Sequence, residues 1–461
     1  MPQSIDSLLE GLAAELPAGT LLSGADAGAR HHADWTRINA CEPRAVLRPR
    51  STAEVAAILR RCHAASQPLV VQGGLTGLAG GATPRSGEVA LSLERMHGIE
   101  EVDPDGGTMR VLAGTPLAAV HEAAGRHGLQ FSLDLGARGS CTIGGNIATN
   151  AGGNRVIRYG MTRELVLGLE AVLADGTIVS SLNCMLKNNA GYDLKQLFIG
   201  TEGTLGVVTR AVLRLHPAPR ERITAFVATD SFEALVALLR ESRAAFGGQL
   251  GSFETMWENY FEFALRELKV GVRPFAAPHA HYALIEIEAL EPAGDTERLE
   301  TFLARMLDTG VGADALIARS LDESARLWRI RESAAELMMR LGIPMGYDVS
   351  LPISRMVGYL EKLHAEVPAV LGERPLFVFG HLGDGNLHLV TGLKSPAEVA
   401  PLDRIVYGSL AGFGSVSAEH GIGQHKRHWL ASSRLPQEIA LMRQLKSALD
   451  PRGILNPGRV L

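Results

Sequence analysis

Glycine placement constrains this chain more than any other feature. Six glycines fall within residues 73–87 (Gly73, Gly74, Gly77, Gly80, Gly81, Gly87) and seven within 136–160 (Gly136, Gly139, Gly144, Gly145, Gly152, Gly153, Gly160). The 461 residues hold 51 glycines, so both clusters are far denser than the average. Loops of this kind serve left-handed backbone or close approach of the main chain to another body. Strings of N–H groups with no side chain in the way form a cradle for anions. Two familiar versions fail: there is no G-x-x-x-x-G-K-[ST], and the spacing around Gly74 is G-x-x-G-x-x-G, without a ribose-binding acid at the expected distance. A P-loop and a Rossmann NAD site are therefore disfavoured. With Thr76, Ser140, Asn146, Thr149 and Asn150 interleaved, the clusters read as backbone wrapped around a large phosphate-bearing group.

The flanking segments set the fold class. Ser51-Thr52-Ala53-Glu54 is a capping box, followed by Val55, Ile58, Leu59 and Cys62 at helical spacing. Gln67-Pro68 stops that helix and Leu69-Val70-Val71 reads as a buried strand, an α/β signature. Val89–Leu93, Thr108–Leu112 and Leu167–Leu173 read as strands, the last before an Asp175-Gly176 turn. A third glycine loop, 200–206, precedes Val207–Thr209. Past Pro217-Ala218-Pro219 the texture changes to longer amphipathic helices (Phe232–Phe246, Thr296–Leu307, Leu321–Leu341, Ser354–Leu363) and strands such as His281–Glu288 and Leu376–Phe379. This reads as a separate α+β domain. The expected division is 1–41 as an N-terminal helical segment, 42–219, 220–410, and 411–461 with a helix around Glu438–Leu449.

Composition excludes several classes. Lys and Arg number 45 against 50 Asp and Glu, a net charge of −5, with no basic block, which argues against nucleic acid. No apolar run reaches the ~18 residues of a membrane helix. The N-terminal stretch carries Asp6, Glu10 and Glu15 and reads as neither a signal nor a transit peptide. Four scattered cysteines (Cys41, Cys62, Cys141, Cys184) without C-x-x-C leave a disulfide framework or an iron–sulfur cluster unsupported, and a reducing cytoplasm is expected.

Gln72–Gly81 (QGGLTGLAGG) resembles the pyrophosphate loop of the FAD-binding PCMH-type fold of the vanillyl-alcohol-oxidase superfamily. Asp134–Gly160, Gly191–Thr209 and the terminal ILNPGRVL are similar to the FAD-dependent D-2-hydroxyacid dehydrogenases, the D-2-hydroxyglutarate, D-lactate and glycolate members. The resemblance implies an α+β chain: a two-part PCMH-type FAD domain, a substrate (cap) domain with an antiparallel sheet, and a C-terminal segment returning to the FAD domain. It implies FAD held at Gly73, Gly74, Thr76 and Gly77 for the pyrophosphate. The flavin would lie along Gly136, Ser140, Gly144, Gly145, Asn146, Thr149 and Gly152, with Gly206, Val208 and Asn456 also in contact. The first loop has no His or Cys and Cys141 reads as structural, so the FAD is expected to be non-covalent.

Phe379–Leu389 (FGHLGDGNLHL) is the sharpest local feature. Asp-Gly between β-formers signals a hairpin. With Asp384-Gly385 as a two-residue turn, pairing indices sum to 769, so His381 faces His388, Leu382 faces Leu387 and Gly383 faces Asn386. Opposed residues share a face with Cβ atoms about 4.5–5.5 Å apart. Two imidazoles beside the Asn386 amide suit a divalent cation or a substrate. The acid–histidine pair Glu419-His420, followed by glycines, offers a third ligand. The resemblance places His381, His388 and Glu419 on zinc, with Asn386 and His420 at the substrate; ligand type also allows manganese or iron. Trp328-Arg329-Ile330-Arg331-Glu332 is similar to a family motif that makes Arg331 the fork for the substrate carboxylate. Two positions depart from the hydroxyglutarate pattern: Ala335 replaces a threonine and Gly346 a lysine, which favours a monocarboxylate with an apolar or longer side chain.

The expected activity is oxidation of a D-2-hydroxy acid to the 2-oxo acid, with His420 as base and hydride passing to flavin N5. An external acceptor follows, an electron-transfer flavoprotein, a quinone or a cytochrome; a homodimer is implied only by the resemblance. The alternatives are the flavin subunit of a glycolate-oxidase-like complex and a non-redox flavin transferase.

Overall fold

The computed structural model describes residues 5–461; the first four residues of the expected segment 1–41 lie outside it. The chain divides into two compact units. The first comprises the chain up to Gly153, then 159–218 and 419–461; the second comprises 154–158 and 219–418. No helix among the described residues is long and apolar enough to cross a membrane.

The first unit is built on the expected helix–strand pair. Ser51 caps the helix Thr52–Ala65 by accepting from the Glu54 N–H at 3.2 Å. The Glu54 carboxylate reaches back one residue further than a capping box requires, to the Arg50 N–H at 2.9 Å. The helix buries Val55, Ile58, Leu59 and Cys62, and the strand Leu69–Gln72 that follows joins a mixed four-stranded sheet. A second, antiparallel five-stranded sheet carries Thr108–Leu112, Val166–Val172 and Val207–Arg214. The returning C-terminal segment closes the unit: Leu69 donates to the Ile454 carbonyl, and Asn456 Oδ1 accepts from the Val71 N–H at 2.7 Å. Arg459, fully buried, pairs with Glu88.

The second unit is one antiparallel seven-stranded sheet. Its order is Asp314–Ile317, Glu221–Thr229, His281–Ala289, Leu250–Trp257, Phe377–Gly380, Asn386–Leu393, Ile343–Ser350. One face is aromatic: Phe261 stacks on Tyr282 at 4.1 Å between ring centres, and Tyr260 meets Phe379 at 4.4 Å. The excursion 154–158 is held to this sheet by buried charges, with Arg158 Nη1 3.0 Å from Glu288 Oε2, and by Ser252 Oγ donating to the Asn154 carbonyl at 2.6 Å.

Two expectations need correction. The helix expected over 321–341 is two helices, Leu321–Arg331 and Ala334–Arg340. The break is stabilised by Tyr260, whose hydroxyl donates to the Arg331 carbonyl at 2.9 Å and so satisfies a group that helix termination leaves orphaned. The second correction is the register of the histidine hairpin. Observed pairs are Phe377↔Val390, Val378↔Leu389 and Phe379↔His388, so the indices sum to 767 rather than 769. The type I′ turn that an Asp-Gly pair favours needs left-handed backbone at both central residues. Here only Gly385 has it (φ 85°); Leu382–Asp384 forms a 3₁₀ turn with Leu382 buried. His381 therefore stands at the end of its strand, and its carbonyl accepts from the Asn386 N–H at 3.2 Å.

Candidate active site

The slip of two residues preserves the faces, because strand side chains alternate with a period of two. His388 opposes Phe379, and the diagonal neighbour His381 still brings its ring within 5.3 Å of the His388 ring, edge to face. The His381 ring is hydrogen-bonded at Nδ1 to a carboxylate, and a second carboxylate stands farther from Nδ1 of His388. Glu254 Oε1 lies 2.8 Å from His381 Nδ1, and Asp348 Oδ1 lies 3.8 Å from His388 Nδ1. Asn386 donates to Asp348 Oδ1 and to the Val349 carbonyl, both at 2.9 Å, which leaves its own carbonyl oxygen buried and without a hydrogen-bond partner.

Arg331, the last residue of its helix, is 6 % exposed. Its Nη2 lies 2.8 Å from Glu254 Oε2, and its guanidinium sits 5.1 Å from the Phe379 ring centre. Burial pushes the Glu254 carboxyl up, but His381 and Arg331 together outweigh it and hold the group below the usual carboxylate range. Arg331 Nε is buried without a hydrogen-bond partner. Arg331, His381, His388 and Asn386 thus gather at one place in the second unit. Ala335 is exposed on the helix after Arg331, and a side chain at Gly346 would begin 3.6 Å from Met338 Cε.

The glycine clusters meet in the first unit around a cavity of about 350 Å³, within the range of small-molecule sites. Gly73, Gly74, Thr76, Gly77, Gly136, Gly144, Gly145, Asn146, Thr149, Gly152, Gly206, Val208 and Asn456 all line it. Ser140 does not; its carbonyl is 2.1 Å from where a Gly74 Cβ would stand, so it packs loop against loop. Asn456 also acts as a clip, donating to the Glu202 carbonyl at 2.5 Å. Cys141 lines the cavity with its thiol pushed up by burial, the state of an unreactive cysteine.

The cavity fits a large phosphate-bearing cofactor. Leu75 adopts a left-handed φ of 60° between the glycines, the αL half of the αR–αL pair that forms an anion nest. Thr142, not expected from the sequence, lines the cavity with a buried hydroxyl that has no hydrogen-bond partner, a donor awaiting an acceptor. Glu419 and His420 line the same cavity. They directly follow Ala418, the last residue of the second unit, whose N–H donates to the Asp348 carbonyl at 3.3 Å. Glu202, also unforeseen, accepts from the Ile422 and Gly423 N–H groups at 2.7 and 2.8 Å and so holds the turn after His420; burial raises its pKa.

Residues 43–181 match the family described as FAD binding domain, and 218–460 match FAD linked oxidases, C-terminal domain. The chain is 42 % identical over 431 residues to the mitochondrial D-2-hydroxyglutarate dehydrogenase of Bos taurus, covering 93 % of this chain and 78 % of that one. It is 41 % identical over 437 residues to the D-2-hydroxyglutarate dehydrogenase of Xanthomonas citri pv. viticola (93 % and 91 %). It is 35 % identical over 436 residues to the D-2-hydroxyglutarate–pyruvate transhydrogenase of Saccharomyces cerevisiae (92 % and 88 %). In fold, it is similar to p-cresol methylhydroxylase with substrate bound (TM-score 0.79, 17 % identity, 99 % of this chain and 96 % of that one). It is also similar to an alkyldihydroxyacetonephosphate synthase (TM-score 0.76, 17 % identity, 99 % and 85 %). These two likenesses show the PCMH-type fold that the family resemblance implies.

Proposed function

The chain belongs to the FAD-linked oxidases as an FAD-dependent D-2-hydroxyacid dehydrogenase, and from that premise we propose a metal-assisted oxidation in which His381, His388 and Glu419 hold a divalent cation, zinc or manganese. The observation that carries the metal reading is the pair of imidazoles 5.3 Å apart, one of them, His381, hydrogen-bonded at Nδ1 to the Glu254 carboxylate. That is how proteins orient histidines toward a metal through their other nitrogen. Two imidazoles and a carboxylate with an open position form the donor set of a catalytic zinc. Chain continuity supports Glu419 as the third ligand, since it follows Ala418, which is bonded to the residue opposite His388.

Arg331 grips the substrate carboxylate, presenting its unpartnered Nε, and the Asn386 amide borders the substrate. His420 takes the hydroxyl proton on a ring nitrogen. The loops at Gly73–Gly77 and Gly136–Gly152 hold the FAD non-covalently. When bound, FAD accepts the two electrons lost at the substrate Cα, and a divalent cation lowers the pKa of the hydroxyl. Electrons leave through an external acceptor: an electron-transfer flavoprotein, a quinone or a cytochrome. The name of the yeast relative adds pyruvate to the acceptors worth assaying.

The residue at 346 bears on which acid is oxidised. Gly346 offers no polar group, and Met338 lies beside it. This supports a monocarboxylate with an apolar or longer side chain over a dicarboxylate. Turnover of a panel of D- and L-2-hydroxy acids with a dye acceptor tests it. His381→Ala is expected to abolish turnover with every acid while the yellow flavin stays bound. Loss of colour together with activity would contradict the division of labour between the two units.

A further inference from the structure

Glu254 stands in the middle of the strand Leu250–Trp257 and is 1 % exposed. A carboxylate so buried is costly unless it is paired. Each of its oxygens meets a different residue of the site: Oε1 lies 2.8 Å from His381 Nδ1, and Oε2 lies 2.8 Å from Arg331 Nη2. Accepting from Nδ1–H fixes the imidazole in the tautomer whose lone pair is on Nε2. Holding one corner of the guanidinium aims the rest of the fork, including the buried Nε that has no hydrogen-bond partner. Phe379 closes one side of that guanidinium at 5.1 Å, so the arginine has little other choice of direction.

We propose that Glu254 is a positioning residue that orients the metal ligand His381 and the carboxylate-gripping Arg331 at once, so that metal affinity and substrate affinity decline together when its reach is altered. The inference rests on the metal-assisted reading above. Its rival is plain charge compensation, in which any buried anion would serve Arg331. Glu254→Asp separates the two, because it keeps the charge and shortens the reach by one methylene.

The experiment uses the flavin-loaded full chain, with zinc affinity read by competition against a chromogenic chelator and KM and kcat read with the best D-2-hydroxy acid. In Glu254→Asp and Glu254→Gln, flavin content is expected to stay at the wild-type level. Zinc affinity is expected to drop about 10–100-fold and KM to rise about 10-fold or more. Wild-type zinc affinity and KM in Glu254→Asp would overturn the proposal, whether or not Glu254→Gln is impaired, as would one property moving without the other. A wild-type chain that takes up no zinc would instead contradict the metal-assisted reading itself. Should neither variant fold, nitrogen-15 imidazole spectra of the metal-free wild type decide. The signal lost in His381→Gln is expected to belong to an Nδ1–H tautomer, and the opposite tautomer would overturn the proposal.

Discussion

His281 opens the strand His281–Ala289 with its ring 4.9 Å from Trp257 and 6.1 Å from Phe232. Burial lowers its pKa from 6.5 to about 4, against the weaker upward pull of Glu233 and Asp230. The unfolded chain therefore binds a proton here across the interval in which the folded chain does not. Stability from this group is full above pH 6.5 and is lost as pH falls through 4, on the order of 3 kcal/mol in all. Denaturant unfolding of wild type and His281→Leu from pH 7 to pH 4 checks this: the wild type should lose that much more than the variant, and parallel curves would refute it. The contrast with His381 shows what single residues reveal. His381 and His388 were legible as a pair because only six residues of local sequence lie between them. Glu254 was not, because it meets them through pairing of Leu250–Trp257 with Phe377–Gly380, a contact between distant parts of the chain. The only local hint was a lone acid in a strand whose other residues are apolar or small.

At the scale of elements, the two glycine clusters turn out to serve two purposes. At Gly74 an added Cβ would stand 2.1 Å from the Ser140 carbonyl and 2.9 Å from Cys141 Cα, so this glycine lets one cluster press against the other. At Gly136 an added Cβ meets nothing within 4 Å, yet the residue lines the cavity. Gly74→Ala is expected to cost about 1–3 kcal/mol of stability and to lower flavin content with it. Gly136→Ala is expected to leave the melting temperature of the flavin-free protein unchanged and to weaken only flavin retention. Melting curves with and without added FAD distinguish the two; equal melting temperatures for Gly74→Ala and wild type would contradict the packing role. Capped helices such as Thr52–Ala65 and Phe232–Phe246 were legible to within a residue, because their stop and start signals are local. The break at Glu332-Ser333 and the hairpin register were not. The first depends on the Tyr260 hydroxyl, the second on burial of Leu382 in the loop, and neither partner is visible from the segment alone.

Across the whole molecule, the change of texture at Pro217-Ala218-Pro219 coincides with the passage from one compact unit to the other, because glycine-loop and amphipathic-helix architectures differ in composition. The excursion 154–158 left no such trace; Arg155 and Arg158 acquire meaning only opposite the buried Glu286 and Glu288. On the proposed reading, flavin reduction by a D-2-hydroxy acid depends on a cation held by the paired imidazoles. Anaerobic mixing in a stopped-flow instrument tests it, following the yellow flavin band in metal-stripped and zinc-reconstituted protein with each enantiomer. The band should bleach rapidly with the D-acid in the zinc-loaded protein, slow by orders of magnitude after chelation, and persist with the L-acid. Bleaching at the same rate with and without the metal would contradict the account.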